Sequence, residues 1–281
     1  MKKFLATITT AALAATVALS FTACKGGTDD PYTIVVGASQ TPHAEILHVI
    51  EDKLASYGYT LEIKVFDDYI TPNTALDEGS LDANYFQHTP YLNTFNKDYG
   101  TSLVSAGKIH YEPFGVYGKN VSQEEFDTNK TGRTIFIPND GSNLTRALFV
   151  LQDEGYITLK SDVTASDTLT VQDIADNKGN TVRPVEAATV SAQLAEANNG
   201  AIAVINGNYA LQAGLSVSTD ALAVESAAGD AAQLYANIIA VKKGKENHSK
   251  TKALLTALYS QEVYAYINAT YGGAVLPVFS V

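Results

Sequence analysis

The chain has 281 residues, 30 of them acidic against 19 basic, giving a net charge of −11 at pH 7, and 46% of it is hydrophobic. An anionic chain of this composition is a poor candidate for nucleic acid, whose binding rests on neutralising phosphates. Cys24 is the only cysteine, so no intramolecular disulfide is available and stability must come from packing.

The start, Met1-Lys2-Lys3, is short and basic, and an apolar, Ala/Thr-rich run follows from Phe4 to Ala23. That is the layout of a secretory signal with a small residue before the cut. The threonines in the run and the abrupt polar turn after it argue against a membrane-spanning helix. The stretch Leu19-Ser20-Phe21-Thr22-Ala23-Cys24 resembles a bacterial lipobox, with Phe21 where that motif usually has leucine. The resemblance implies that Cys24 is lipidated and becomes the first mature residue. Lys25-Gly26-Gly27-Thr28-Asp29-Asp30-Pro31 then reads as a flexible tether. From residue 24 on, 17 basic residues face 30 acidic ones, a net charge of −13. Roughly 250 residues are enough for one large domain or two lobes.

In the first half, the β-branched run at 33–36 predicts a strand ending at Gly37. Thr41-Pro42 predicts a helix start, with Leu47, Ile50 and Leu54 on its apolar face. Leu61 to Val65 alternates like a half-buried strand. The Thr-Pro pair recurs at Thr71-Pro72 and Thr89-Pro90, so strand–turn–helix units repeat and several helices begin on one side of a sheet. In an α/β fold that side binds ligands. The loops there are aromatic: Tyr69 precedes one helix start, and Tyr85, Phe86, His88 and Tyr91 surround another. Any single aromatic packs under its loop more often than not; together they make an apolar wall with a polar rim.

In the second half, Ile109 to Gly118 reads as an extended segment interrupted by Pro113, and a polar stretch at 119–133 marks a crossing into a second lobe. The run Thr134-Ile135-Phe136-Ile137 predicts a strand, and Pro138 to Ser142 a turn. Ser142 or Asn143 is the expected cap of a helix with Leu144, Ala147, Leu148 and Leu151 on one face. Arg146 sits in its first turn, where the helix dipole disfavours a cation; an anion near the free N–H groups would explain it. A strand at 181–185, a helix at about 189–197, a strand at 201–205 and a helix after Asn206-Gly207-Asn208-Tyr209 follow. Residues 233–241 predict a second extended crossing, and Leu254, Leu255 and Leu258 a return to helix.

Several motifs are similar to those of the methionine-binding lipoproteins of bacterial ABC importers, the NlpA-type family: Pro42-His43-Ala44-Glu45-Ile46-Leu47, Asp82-Ala83-Asn84-Tyr85-Phe86-Gln87-His88-Thr89-Pro90-Tyr91-Leu92, Ile137-Pro138-Asn139-Asp140, Ile205-Asn206-Gly207-Asn208-Tyr209-Ala210 and Tyr235-Ala236-Asn237. They stand in the family's order and cover the chain from about residue 33 to the end. The resemblance implies an α/β, two-lobed periplasmic-binding-protein-like fold of type II with two crossing hinge segments. The expected division is 1–23 signal peptide, 24–31 lipidated tether, 32–117 with 238–281 as one lobe, and 118–237 as the other. It also implies a monomeric, outward-facing receptor, lipid-anchored in the cell membrane, that delivers methionine to a permease driven by an ATPase, with no cofactor. The family's ligand-contacting positions correspond to Tyr69, Phe86, His88, Tyr91, Asn143, Arg146, Asn206 and Asn237.

The chemistry of those residues suits an α-amino acid. Arg146 can take a carboxylate bidentately, for roughly 1.5–3 kcal/mol. The three asparagines both donate and accept, although each alone is more often a turn residue or cap. Tyr69, Phe86 and Tyr91 can pack on a thioether, at about 0.3–1.5 kcal/mol per sulfur–aromatic contact. Leucine would use the same wall, so methionine itself comes from the resemblance. D-methionine, a methionine dipeptide and another apolar amino acid remain alternatives. A metal receptor using His43, His88 and His110 lacks short ligand spacing, and an enzyme would need more than His88 with Asp82, since no nucleophile motif is present. A surface adhesin is a further alternative.

Overall fold

The computed structural model describes residues 30–226 and 231–281. The signal segment, the lipobox with Cys24 and residues 24–29 of the tether lie outside the described residues. Four strands come first: β1 (Thr33–Ala38), β2 (Thr60–Val65), β3 (Ala83–His88) and β4 (Leu103–Tyr111). Then follow β5 (Gly115–Gly118), β6 (Thr134–Pro138), β7 (Thr158–Leu159), β8 (Ile174–Asp176), β9 (Thr181–Val185), β10 (Ile202–Ile205) and β11 (Ala223–Val224). The last two are β12 (Asn237–Lys242) and β13 (Leu276–Pro277).

These strands form two main sheets, one per lobe. The first has the order β13-β4-β12-β3-β1-β2, the second β11-β5-β10-β6-β9, and β7 pairs with β8 alone. The chain crosses from the first sheet to the second between Tyr111 and Gly115, and returns between Val224 and Asn237. Strand β5 pairs entirely in the second sheet, and the expected boundary at 117 falls inside it. The second extended segment starts at Asn237 rather than residue 233, because Ala231–Leu234 is a short helix. Among the described residues no helix is long and apolar enough to cross a membrane.

Both sheets are covered on both faces, so β1 and β10 are almost wholly apolar, as buried strands are, while β3 carries buried amides. The two-residue period then sends alternate side chains to different cores. Val35 packs with Leu76, Leu92, Phe95 and Ile238, while its neighbours Ile34 and Val36 join Leu47, Ile50 and Leu54 on the other face. In the second sheet Ile135, Ile137 and Val204 pack with Leu148, Leu151 and Tyr156, whereas Phe136 and Ala203 face the core that the two lobes share.

The helix starts near the cleft are fixed by side-chain caps. Asp68 accepts from the backbone N–H of Ile70 and Thr71, both at 2.7 Å, ahead of the helix Thr71–Glu78. His88 Nδ1 accepts from Tyr91 N–H at 3.2 Å and starts Thr89–Tyr99. The cap of Gly141–Asp153 is Asp140, which accepts from Asn143 N–H at 3.0 Å; Ser142 and Asn143, expected as caps, are inside the helix. A carboxylate at that position satisfies two donors and suits the dipole better than a neutral cap. Thr41 is extended (φ −129°) before a cis Pro42, and makes no side-chain cap, so the α-helix there begins at Glu45.

Beneath the cleft three buried amides lock β3 to the Thr71–Glu78 helix. Asn73 Nδ2 donates to Gln87 Oε1 at 2.9 Å, and Asn73 Oδ1 accepts from Asn84 Nδ2 at 2.8 Å and Gln87 Nε2 at 2.6 Å. Asn84 Nδ2 also reaches the Pro72 carbonyl at 3.1 Å, and its Oδ1 accepts from Gln87 Nε2 at 2.9 Å. The network fixes the strand that presents Phe86 and His88. Asn73→Ala orphans polar groups on both partners, and should lower unfolding free energy by about 2–3 kcal/mol. Urea titration checks this, and a loss under about 0.5 kcal/mol would show that water fills the gap.

Candidate functional site

The C-terminal ends of β1 and β3 and the starts of the Thr89–Tyr99, Gly141–Asp153 and Gly207–Gln212 helices converge between the lobes. There they close over a small cavity of about 20 Å³. All eight expected residues, Tyr69, Phe86, His88, Tyr91, Asn143, Arg146, Asn206 and Asn237, line it. Glu112, Phe114 and Asn208 line it too.

The aromatic wall is continuous. Tyr69 packs against Phe86, Tyr91 and Tyr209, with ring centroids 5.7, 5.6 and 4.9 Å apart. Tyr91 OH donates to the Tyr69 carbonyl at 3.0 Å, which holds the loop carrying Tyr69 against the helix carrying Tyr91.

Arg146 is 3% exposed and is not a lone cation. Its Nε donates to Glu225 Oε1 at 2.8 Å, its Nη2 makes a short bond to Oε2, and Nη2 also reaches the Glu112 carbonyl at 2.8 Å. The guanidinium lies over Phe114 and Tyr235, 3.9 and 4.4 Å from their centroids. Glu225 accepts as well from Tyr111 OH at 2.7 Å and Phe114 N–H at 3.1 Å. The bidentate partner expected from a ligand is therefore supplied on one edge by the protein, and Nη1 is the part of the fork that Glu225 does not hold. Burial alone would raise the Glu225 carboxyl; the Arg146 charge and its hydrogen bonds outweigh that and hold it below the usual range.

Three contacts join the lobes around the cavity. Tyr69 OH donates to Asn208 Oδ1 at 2.5 Å, Tyr209 OH to the Asp67 carbonyl at 3.0 Å, and His88 Nε2 to Asn143 Oδ1 at 3.1 Å. Because His88 Nδ1 accepts from Tyr91 N–H, its proton sits on Nε2 and the ring is neutral. Burial, then the nearby Arg146 charge, depress its pKa to about 3. Asn143 Nδ2 is held by both Asp140 oxygens at 3.0 Å, which turns its Oδ1 toward His88. The amide of Asn143 thus spans the lobes.

Glu112 lies on the first crossing, 5% exposed. Its carboxylate accepts from His110 Nε2 at 2.6 Å, with His43 Nε2 at 3.4 Å; His43 also donates to Asn237 Oδ1 at 2.9 Å. Tyr85 OH makes a short bond to His110 Nδ1. Burial pushes the Glu112 carboxyl up. The backbone of Gly207 comes so close that a Cβ there would sit 2.7 Å from Glu112 Cβ and Oε2, which is why the second lobe meets it with glycine. Two buried atoms at the cavity lack partners: Asn206 Oδ1, an acceptor, and Asn208 Nδ2, a donor.

The alternatives considered from sequence fare differently. The ligating atoms of His43, His110 and Glu112 lie within 4.8 Å of one another, but His88 has other partners. The 2.6 Å contact of His110 with Glu112 is a hydrogen-bond distance, shorter than two ligands of one zinc ion keep at bonds of about 2.0–2.2 Å each. Asp82 pairs with Lys250 at the opposite end of β3 from His88, so the two make no acid–base pair. Glu112 and Glu225 were missed. A lone acid inside the apolar run at 109–118 was the available sign of Glu112, and Glu225 had none, since its partner is 79 positions away.

Two lobes on two mixed sheets, joined by two crossings and closed over a cavity that carries both charge signs, define a two-lobed solute-binding protein. The chain belongs to the NlpA lipoprotein family, whose model matches residues 34–279. It is 43% identical over 248 residues to the methionine-binding lipoprotein MetQ of Bacillus subtilis (strain 168), covering 87% of this chain and 88% of that protein. A solved structure from Ruminococcus gnavus ATCC 29149, described as a lipoprotein, is 49% identical with a TM-score of 0.82, covering 88% of this chain and 99% of the other. A nutrient-binding protein from Burkholderia cenocepacia, solved bound to methionine, is 38% identical with a TM-score of 0.79, covering 88% and 100%. The family is one of substrate-binding lipoproteins and not of enzymes.

Three buried histidines make stability pH-dependent. Burial holds His43 at about 4 and His88 and His110 at about 3. Above about pH 6.5, folded and unfolded chains alike keep these rings neutral, and the stability is fully present. Below it the unfolded chain takes up protons that the native state refuses, so stability falls by up to about 1.4 kcal/mol per histidine per pH unit. Glu112, raised by burial, acts in the opposite sense in the carboxylate range and offsets part of the loss. Melting temperature should therefore hold level from about pH 7.5 to about pH 6.5 and drop steadily from there to about pH 5, less steeply in His110→Gln. A flat profile would contradict the buried, neutral rings.

Proposed function

We propose that the protein is a receptor, lipid-anchored through Cys24 and facing outward, that captures methionine between its lobes and delivers it to the permease of an ABC importer. The observation that carries the reading is the pair of orphaned polar atoms, Asn206 Oδ1 and Asn208 Nδ2, buried at a cavity that also holds Arg146, Glu112 and the Tyr69–Phe86–Tyr91 wall. A buried polar atom without a partner is costly, and an amino acid supplies both missing partners. Its ammonium group would bond Asn206 Oδ1 and the Glu112 carboxylate; its carboxylate would take Arg146 Nη1 and Asn208 Nδ2. Asn237, tied to His43, orients that end of the site, while His88 and Asn143 hold the lobes together over it. A thioether chain lies along the aromatic wall. The crossing at 112–114 and the described parts of the second, 225–226 and 235–236, would be the hinges on which a single monomer closes.

The relatives support the ligand and the partner. The Bacillus subtilis relative is named for methionine, the Burkholderia cenocepacia structure holds it, and a Coxiella burnetii neighbour at 36% identity is described as an ABC transporter substrate-binding protein. Presentation to a permease requires that the closed form differ from the open one, so the ligand must bind the two states unequally.

Titration calorimetry of the chain from residue 25 tests this reading. L-Methionine should bind more tightly than other amino acids. Glu112→Gln keeps the shape and removes the charge, and should weaken binding about 10- to 100-fold, the worth of one charged hydrogen bond. Leucine binding as tightly would end the methionine assignment and leave the solute-binding fold standing. Absence of binding by any amino acid would end both assignments of ligand.

A further inference from the structure

The densest run of lysines lies far from the cleft. Between Lys242 and Lys252 the chain places five lysines against one acid, Glu246, although its net charge is −11. Lys250 is buried and holds Asp82, with both carboxylate oxygens at 3.0 Å. Lys243, Lys245 and Lys252 are exposed, and no ion pair among the described residues engages them. Lys242 and Lys245 share a cavity of about 480 Å³ with Pro31, the point where the tether enters the folded body. Asp82 lines the same cavity, Lys242 Nζ donates to the Asp77 carbonyl at the end of the Thr71–Glu78 helix, and Asp30 is bonded to Tyr32 N–H and Thr33 Oγ1.

The topology sets which way this face looks. β12 runs antiparallel to β3, with Asn237 opposite His88 at the cleft, so Lys242 stands at the far end of the first sheet. Cys24 is seven positions before Pro31, and a fully extended chain spans at most about 25 Å over that distance. The lysine face is therefore within a short reach of whatever the anchor enters.

We propose that the Lys242–Lys252 face docks on anionic lipid headgroups, laying the first lobe on the bilayer with the cleft turned to solvent. The proposal rests on the lipid-anchor reading of Cys24. Charge complementarity commits it to anionic lipid: the chain is acidic as a whole, three exposed lysines stand together on this face, and a short anchor holds them where the surface potential is felt.

The test uses the chain from residue 25, which contains every described residue, tethered by an N-terminal histidine tag to nickel-chelating lipid. This replaces the anchor, so the outcome does not depend on whether Cys24 is processed; mass spectrometry of Cys24 tests that separately. With Cys24 absent, Asn247→Cys and Asn139→Cys each carry a single dye, one beside the lysines and one at the cleft mouth. On phosphatidylcholine–phosphatidylglycerol vesicles, headgroup quenchers should quench the Asn247→Cys dye and spare the Asn139→Cys dye. The quenching should be lost on pure phosphatidylcholine, at about 0.5 M salt, and in the triple variant Lys243→Glu, Lys245→Glu, Lys252→Glu, with methionine titration unchanged. Equal quenching of both dyes, or quenching indifferent to phosphatidylglycerol or to the triple variant, overturns the proposal. Lysine-dependent capture only by vesicles that contain the permease assigns the face to a protein and also overturns it.

Discussion

A guanidinium that is 3% exposed needs a counter-charge within reach, and much of the molecule is arranged to supply one to Arg146. Glu225 comes from the end of the second lobe's last strand, and the Glu112 carbonyl from the first crossing, so one side chain fastens both connections between the lobes. Tyr111 and Phe114 bond the same carboxylate from the first crossing. Desolvating two charges costs several kcal/mol, and a buried ion pair roughly breaks even against packed apolar residues. Its use here is geometric: it sets the direction of the guanidinium and the relative position of the two crossings.

The contacts that close the lobes are of another kind. Tyr69 to Asn208, Tyr209 to the Asp67 carbonyl, and His88 to Asn143 are hydrogen bonds between neutral groups. Each is worth about 0.5–1.5 kcal/mol net, because open lobes exchange them for water. Three such bonds stabilise closure without making it permanent. If the lobes part, these neutral bonds are the ones between them, and a solute that bridges the lobes would need to shift the balance by only a few kcal/mol.

Local chemistry was legible in the sequence where one signal decided the outcome. Thr71-Pro72 and Thr89-Pro90 do open helices, the aromatic residues at 69, 86 and 91 do meet, and the 134–138 strand leads into the helix bearing Arg146. The cap of that helix was misplaced by two or three residues, since Asp140, Ser142 and Asn143 all favour such positions and only the fold decides among them. Glu225, Glu112 and the amide network of Asn73, Asn84 and Gln87 were out of reach for a different reason. Their partners lie on other elements, up to 79 positions away, and no period in the sequence encodes such a pairing.

The place of β12 in the first sheet decides when the chain can become a structure at all. β12 sits between β3 and β4, so these two strands, complete by residue 111, share no edge until residues 237–242 arrive. The whole second sheet is spliced between those two moments. A ribosome or an export channel delivers residues in order, and for most of that delivery the first lobe is a set of helices and strands with its keystone missing. Until β12 arrives, β3 and β4 keep open strand edges of the kind that invite aggregation. The folded receptor is then locked by one of the last segments to emerge.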